Sequence, residues 1–439
     1  MAAPAKATQN YIERYQAARP GLPGGSLPWL AQLRDAGIAR FGALGFPSPK
    51  IESWKYTDLR PLERLAAEAV PAAPAEVALP APLLAGGHRL VFVNGQYQAG
   101  LSAPGDLPAG LRLQSLRAVL EAEPDSLQGW LGGLGGSDDE AMTALNLALM
   151  TDGLVLRLAP GIDLATPIEL VFAGTGTALT AHHPRNLILL EANSRATLVE
   201  QHVGSGSYIA NSVSQVALGQ GAALRHVKVQ NEAGGAYHIG TVTAELGRDA
   251  AYENFVLSLG SRLARNEIRV RLAGQGAACR LDGIYLGRGR QHLDHTTVLD
   301  HLAPHTTSRE LYKGALDETG RAVFQGRITV HPHAQKSDGH LLNKTLLLSA
   351  GAEVDTKPEL EIYADDVKCG HGAATGDLDP TALFYLRSRG MPERLARRLL
   401  VEAFVGEVID DLSVADLQQP LRDRAGAWLA AWSDDAKHE

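Results

Sequence analysis

Cysteine is nearly absent from this sequence: Cys279 and Cys369 are the only two among 439 residues. Nothing here forms a disulfide framework or demands an oxidising compartment. The N-terminal segment has no apolar core of signal-peptide length, and no window is long and apolar enough to span a membrane. We therefore expect a soluble cytoplasmic protein with no membrane partner.

Several catalytic and nucleotide-binding motifs are also missing. The sequence contains no GxxxxGK[ST] phosphate loop, no GxSxG, no HExxH and no CxxC. ATP hydrolysis through a phosphate loop is therefore not expected. The formal net charge of −8 argues against nucleic acid as a partner.

Residue composition and hydrophobic periodicity divide the chain into three parts. Residues 1–150 are predicted to form a mostly helical N-terminal region, with a short hairpin strand at 88–97 before Asn94-Gly95. From Thr151 onwards, short β-rich runs follow one another with Gly, Asn or Asp turns between them. Residues 378–439 again show helical periodicity.

A recurring phrase in the middle part indicates a repeat. An apolar residue, a few turn residues and an alanine recur, ending at Ala196, Ala222, Ala250 and Ala277, in steps of 26, 28 and 27 residues. A nearly fixed period of this size is typical of a repeat architecture. We predict a right-handed parallel β-helix over 151–377, with each alanine at a tight interior corner. A β-sandwich is the alternative, because its short strands look similar locally.

Histidines are clustered in two stretches of the predicted β-helix. One reading places them on a polar outer face or in contact with turn backbone, with His331 and His333 on one strand face. The other makes them metal ligands, because neutral imidazole binds transition metals. The histidines concerned are His292, His295, His301, His305, His331, His333 and His340.

The tripeptide Cys369-Gly370-His371 is the sharpest candidate site. At strand spacing the thiol and the imidazole share one side, and we expect both to point outward near the end of the β-helix. Soft thiolate and imidazole suit iron, zinc or copper, but two ligands are too few for a stable site. A buried structural cysteine is the competing reading. Asp365 and Asp366 are expected to raise the thiol pKa.

Three longer stretches resemble the SufB/SufD family of the SUF iron–sulfur cluster assembly system, and SufD more than SufB. They are IESWKYTDLR at 51–60, VFQGRITVHPHAQKSDGHLLNKTLLL from Val323, and LLLSAGAEVDTKPELEIYADDVKCGHGAATGDLD at 346–379. SufB-like chains usually hold more cysteines and lack the YADDVKCGHG phrase. One departure is Gly370, where relatives often carry Ser.

The resemblance implies a non-catalytic scaffold with a β-helix core and helical ends. It implies pairing with SufB through the β-helix. The unpaired strand edges at the end of a β-helix invite such pairing, so we expect a second copy as partner when the chain is alone. The resemblance also implies a nascent iron–sulfur cluster, transient and shared with SufB, with Cys369 and His371 as ligands. None is expected to be tightly bound in the isolated chain.

The ATPase SufC is the second partner that the resemblance implies, bound through the C-terminal helices. A helix over 393–411 has an apolar stripe at Leu395, Leu399, Ala403 and Phe404. Part of this stripe is expected to cap the β-helix. The residues assigned to SufC are Glu393, Arg394, Arg397, Arg398 and Phe404.

A second class of function remains open on the residues alone. A β-helix enzyme acting on polysaccharide could use Asp294 and Asp300, with nearby histidines, as acid–base groups. A secretion signal and an aromatic-lined groove would favour it. The signal is missing and aromatic residues make up only 5% of the chain, so the scaffold is the preferred interpretation.

Overall fold

The computed structural model describes residues 6–63, 77–133 and 140–435. Its helices are α1 (Lys6–Ala18), α2 (Pro28–Leu44), α3 (Arg60–Glu63), α4 (Leu116–Ala122), α5 (Ala141–Leu149), α6 (Pro380–Ser388), α7 (Glu393–Asp410) and α8 (Ala415–Asp435). Its strands are β1 (His88–Val93), β2 (Gln96–Tyr97), β3 (Leu111–Ser115), β4 (Leu154–Leu158), β5 (Ile168–His182), β6 (Arg185–Leu190), β7 (Arg195–Leu218), β8 (Ala223–Asn231), β9 (Tyr237–Leu246), β10 (Ala251–Ser258), β11 (Leu263–Leu272), β12 (Ala278–Gly287), β13 (His292–His301), β14 (Thr307–Leu316), β15 (Arg321–Val330), β16 (Asp338–Leu347), β17 (Glu353–Ile362) and β18 (Lys368–Gly376).

The strands form a parallel β-solenoid. From β9 to β16, each strand pairs in parallel with the strand two places before it and the strand two places after it. One series runs through β8, β10, β12, β14, β16 and β18, and the other through β9, β11, β13, β15 and β17. The predicted fold class, mainly β with a parallel β-helix core and helical ends, is confirmed. The β-sandwich is wrong, because its sheets are antiparallel.

Strand register corrects the repeat at one position. The small buried residue at the tight corner is Ala222, Ala250 and Ala277 in three successive coils, as predicted. In the preceding coil it is Ser194, because Arg195 pairs with Ala223 and Ala196 pairs with Leu224. The first step is thus 28 residues rather than 26. Alanine and serine are both small enough for this corner. Because the repeat was aligned on alanine, its first copy was placed at Ala196, two residues after the true corner residue Ser194.

The N-terminal part contributes strands as well as helices. A hairpin is present where Asn94-Gly95 predicted one, since both residues adopt the positive φ that a tight two-residue turn requires. Its first strand, β1, pairs in parallel with β5, and β3 pairs with β4. The sheet therefore begins before Thr151, among residues predicted to be mostly helical.

Helices cover two outer faces of the solenoid. Helices α1, α2 and α5 pack near Ile209 and Ile239, in an apolar cluster separate from the solenoid interior. Helices α7 and α8 cover the outer side of β8, β10, β12 and β14, where Val401, Val405 and Val408 meet Phe255 and Ile284. Burial of such side chains stabilises the contact by about 2 kcal/mol each. Neither helical layer covers the last coil.

Candidate functional site at the open end of the solenoid

The last coil of the solenoid has two free strand edges. Within the described residues, the only strand that pairs with β17 is β15, and the only strand that pairs with β18 is β16. The interior is partly uncovered here, since Val354 and Leu360 belong to the core face of β17 without being fully buried. Unpaired N–H and C=O groups next to exposed apolar side chains form a template for another chain.

Cys369 and His371 lie on this last coil and share one side of β18. The shared face is confirmed, but its direction is opposite to the expectation. Cys369 packs against the interior cluster and is paired in register with buried Gly339, while His371 is paired with buried Leu341. Both side chains therefore face the solenoid interior, at the point where it opens.

The Cys369 thiol is half-buried, and its surroundings raise its pKa, so it is a weaker acid than an exposed thiol. Burial raises the thiol pKa above its ordinary value, a contact with the Gly339 backbone opposes this, and the charge of Asp338 adds to it. The prediction that Asp365 and Asp366 supply the negative charge is not supported. Asp366 instead forms an ion pair with Lys336. The free chain thus holds Cys369 as a thiol, and a metal must displace its proton.

The clustered histidines occupy three different environments. His295 and His301 are buried inside the solenoid, and burial lowers the pKa of each to about 4. His292 lies on the outer side beside Thr57, with 2.9 Å between Nε2 and Oγ1. His331 and His333 follow β15 in a turn, so the prediction that they share a strand face is wrong. Across the residues that the structure describes, no three His, Cys, Asp or Glu side chains form a metal-binding group.

The carboxylates of the polysaccharide alternative are too far apart for that chemistry. Asp294 and Asp300 both belong to β13 and are six residues apart, which is about 20 Å along a strand. Paired glycosidase carboxylates lie about 5–10 Å apart. Asp294 is also fully buried and bound to Arg265 at 2.5 Å. Its role is to hold Arg265.

The IESWKYTDLR segment, residues 51–60, is laid across the outer face of four coils. The Trp54 ring stacks under the Arg265 guanidinium of β11 at 4.0 Å. Arg265 also donates to the Ser53 carbonyl at 3.0 Å. Glu52, two residues before Trp54, forms an ion pair with Lys357 of β17. This segment therefore connects the N-terminal helices to the last coil.

The residues predicted to contact the ATPase divide between two sides of α7. Arg397 donates to the Leu348 carbonyl at 3.2 Å, and the Phe404 ring lies 4.6 Å from the Lys313 ammonium, so both face the solenoid. Arg398 pairs with Glu402 along the helix at 3.4 Å. The other two predicted residues, Glu393 and Arg394, are exposed.

The apolar stripe of α7 is divided, and part of it packs on the solenoid as expected. Phe404 belongs to the buried contact, whereas Leu395 and Leu399 are 38% and 36% exposed. On the neighbouring α6, Phe384 and Tyr385 are 73% and 56% exposed. We call these four exposed residues the α6–α7 patch. Exposed large apolar side chains on two successive helices are candidates for an interaction site.

In the described ranges, no helix has the length and apolar character needed to cross a membrane.

Two family models match this chain. The SufBD core domain of the SUF iron–sulfur cluster assembly system matches residues 172–404. The SufBD N-terminal region matches residues 5–68 and 84–170. The chain belongs to the SufBD family.

Curated relatives agree with this assignment. An iron–sulfur cluster assembly SufBD family protein of Synechocystis is 33% identical over 90% of this chain and 90% of its own length. The iron–sulfur cluster assembly protein SufD of Escherichia coli is 32% identical over 88% of this chain and 90% of its own length. The SufD of Bacillus subtilis is 29% identical over 65% of this chain and 66% of its own. The chain is thus a SufD-like member of the family.

Proposed function

We propose that this SufD-like chain is a non-catalytic scaffold subunit that pairs with SufB through the open end of its solenoid. The observation that carries the proposal is the position of Cys369 and His371, which share one side of the strand that ends the solenoid. A partner chain seated on that edge would add further ligands. A nascent iron–sulfur cluster, as cargo, would then be held between the two subunits.

An incomplete ligand set fits a scaffold better than a storage site. Two ligands from one chain hold a cluster too weakly for the isolated chain to keep it, and a scaffold must release its cargo. The raised thiol pKa also weakens cluster binding by the isolated chain, because the thiol must lose its proton before it can bind a metal. We therefore infer a transient, shared cluster and none retained by the chain alone.

The test is cluster assembly in cells whose own SufD has been replaced by a variant. We expect Cys369→Ser and His371→Ala each to lower the activity of iron–sulfur enzymes at least tenfold, while SufB still co-purifies. His333→Ala is the matched control, because His333 is exposed in a nearby turn. Normal cluster assembly in both test variants would refute the ligand assignment. A Cys369→Ser chain that fails to fold would instead support a structural cysteine.

We further propose that the α6–α7 patch binds the ATPase SufC in the cytoplasm. With no phosphate loop in its own sequence, the chain would receive ATP-driven motion only by contact. Among the predicted residues, Glu393 and Arg394 lie on the exposed side of α7 and form part of this surface. Arg397 and Phe404 would act indirectly by seating α7 on the solenoid.

Point substitutions test this better than truncation after Asp379. The truncation would also remove α7 and α8 and so uncover the apolar outer side of β8, β10, β12 and β14, which these two helices bury. We expect Leu395→Glu with Leu399→Glu to abolish SufC co-purification and leave SufB bound. Leu101→Glu is the control, because Leu101 is 44% exposed in the N-terminal part. Undiminished SufC binding by the double variant would refute this site.

A further inference from the structure

A large cavity lies between helix α1 and the first strands of the solenoid. It is lined by residues of α1 and of the turn that follows it, of β2, and of the ends of α5 and β5. Its volume is about 680 Å³, within the range of about 300–1,000 Å³ that is usual for small-molecule sites. Cys369 and His371 lie on β18, in the last coil. The cavity is therefore separate from the end proposed to hold the cluster.

Most of the cavity wall is apolar. Leu22, Leu149 and Ala181 line it with aliphatic side chains. Tyr11 adds an aromatic ring, which is held in place by an edge contact with Phe41, with 5.9 Å between the ring centroids. A wall of this kind favours a ligand with an apolar body, because the body leaves water when it binds.

Arg14 supplies the only charge in the wall, counted over the described residues that line the cavity. It forms no ion pair with a described residue, and its guanidinium carbon lies 5.8 Å from the centre of the Tyr11 ring. Asp152 follows a lining residue in the chain, but its carboxylate accepts the N–H groups of Tyr97 and Arg117 at 3.0 Å each. Arg14 thus has no counter-ion in the described parts of the chain, and its planar fork of donors suits a carboxylate.

The buried imidazole of His183 adds a hydrogen-bond donor to the same wall. Asn211 Nδ2 donates to the Met142 carbonyl at 2.8 Å, so its other hydrogen is directed to His183 Nδ1, at 3.3 Å. Burial lowers the pKa of His183 to about 3, so the ring is neutral and its proton is on Nε2. This N–H has no hydrogen-bond partner among the residues that the structure describes.

Two further polar groups of the wall are also without a hydrogen-bond partner in the described ranges, the Tyr11 hydroxyl and the side-chain amide of Gln96. The described wall thus offers one positive charge and several donors, and contains no acidic residue. Such a set fits a ligand with a single negative charge. A phosphate monoester carries about −1.5 to −2 at pH 7, which would leave excess negative charge in an apolar cavity.

We propose that this cavity binds a small amphipathic monocarboxylate, with the carboxylate on Arg14 and the apolar body between α1 and β5. The Tyr11 hydroxyl and the Nε2–H of His183 are the further donors available to the head group. The ligand touches α1 and the solenoid at once, so its binding stabilises the contact between them. This site goes beyond the scaffold function and does not depend on the partners proposed for it.

Isothermal titration of the full chain tests the head group and the apolar body separately, with octanoate as the probe. Octanol keeps the body and lacks the charge, acetate keeps the head group and lacks the body, and octyl phosphate carries more negative charge. We expect one octanoate per chain and binding of the other three that is at least tenfold weaker. Octanol or octyl phosphate binding as tightly as octanoate, or no octanoate binding, would overturn the proposal.

Substitutions in the wall form the second arm. We expect Arg14→Gln to weaken octanoate binding at least tenfold and to leave octanol binding unchanged. Tyr11→Phe keeps the ring contacts, and we expect a loss of several-fold for octanoate. Ala17→Phe fills part of the cavity, and we expect it to weaken both compounds. The control is Arg40→Gln, at an exposed position of α2 outside the cavity. Octanoate binding that is unchanged in Arg14→Gln would refute the head-group assignment.

Amide hydrogen exchange locates the bound ligand. We expect saturating octanoate to slow exchange in α1 and at the end of β5, and to leave β17 and β18 unchanged. Protection confined to other parts of the chain would overturn the site even if octanoate binds. If Arg14→Gln does not fold, the head-group series and the exchange data on wild type decide.

Discussion

Glu310 is a buried acid whose titration should control stability near neutral pH. It lies on the inward side of β14, between Leu281 and Leu341 of the flanking strands, and is 3% exposed. No cation pairs with it within the described parts of the chain. Burial raises its pKa to about 8, the Thr297 hydroxyl opposes this, and the charge of Asp282 adds to it.

The size of the effect follows from the difference between folded and unfolded chains. The folded chain keeps the Glu310 proton up to about pH 8, whereas the unfolded chain releases it near pH 4.5. Within this window the folded state binds more protons, so the free energy of unfolding falls as pH rises. The loss is about 1.4 kcal/mol per pH unit and about 5 kcal/mol in total. Glu310→Gln keeps the shape of the neutral acid and removes the titration.

The assay is guanidinium unfolding of wild type and variant at pH values from 5 to 9. We expect the two free energies of unfolding to agree within about 1 kcal/mol at pH 5 and the variant to be more stable by about 5 kcal/mol above pH 8. Glu245→Gln is the control, because Glu245 lies on the outer face in an exposed ion pair with Arg271. A difference between wild type and Glu310→Gln that does not change with pH would refute the reasoning.

Three further substitutions test the packing around the site. Gly314→Ala places a methyl group 1.9 Å from the Tyr285 ring inside the solenoid, so we expect a loss of about 1–3 kcal/mol, seen as a lower Tm. Trp54→Ala removes the ring beneath Arg265, and we expect a loss of about 3–5 kcal/mol in guanidinium unfolding, with Trp54→Phe close to wild type. Lys313→Ala removes a buried ammonium that donates to α7, and we expect faster amide hydrogen exchange in α7 with unchanged exchange in β14.

The sequence by itself determined the repeat and therefore the solenoid. Residues with positive φ stand immediately before the small corner residue in four successive coils, at Asn193, Gly221, Asp249 and Gly276. Asn, Asp and Gly adopt this conformation most readily, so the turn is specified locally. Each coil then needs nearly the same chain length to stack on the previous one. A local rule repeated at a fixed period is visible in a single sequence.

The shared side of Cys369 and His371 was predictable for the same reason, because side chains alternate along a strand. Which side it is was not predictable. The direction depends on the pairing of Cys369 with Gly339 of the preceding coil, 30 residues earlier. Both faces of this strand are short of large apolar residues, so composition did not mark the inward one.

The tertiary structure alone decided which face of α7 is exposed and which N-terminal segment contacts the last coil. Periodicity placed Leu395, Leu399 and Phe404 on one apolar stripe of α7 and did not say which part of it is buried. In the structure Phe404 packs on the solenoid, whereas Leu395 and Leu399 are exposed. The contact between Glu52 and Lys357 joins residues 305 positions apart. Such choices are made by the fit between surfaces formed far apart in the chain, and a local pattern contains no information about the surface it will meet.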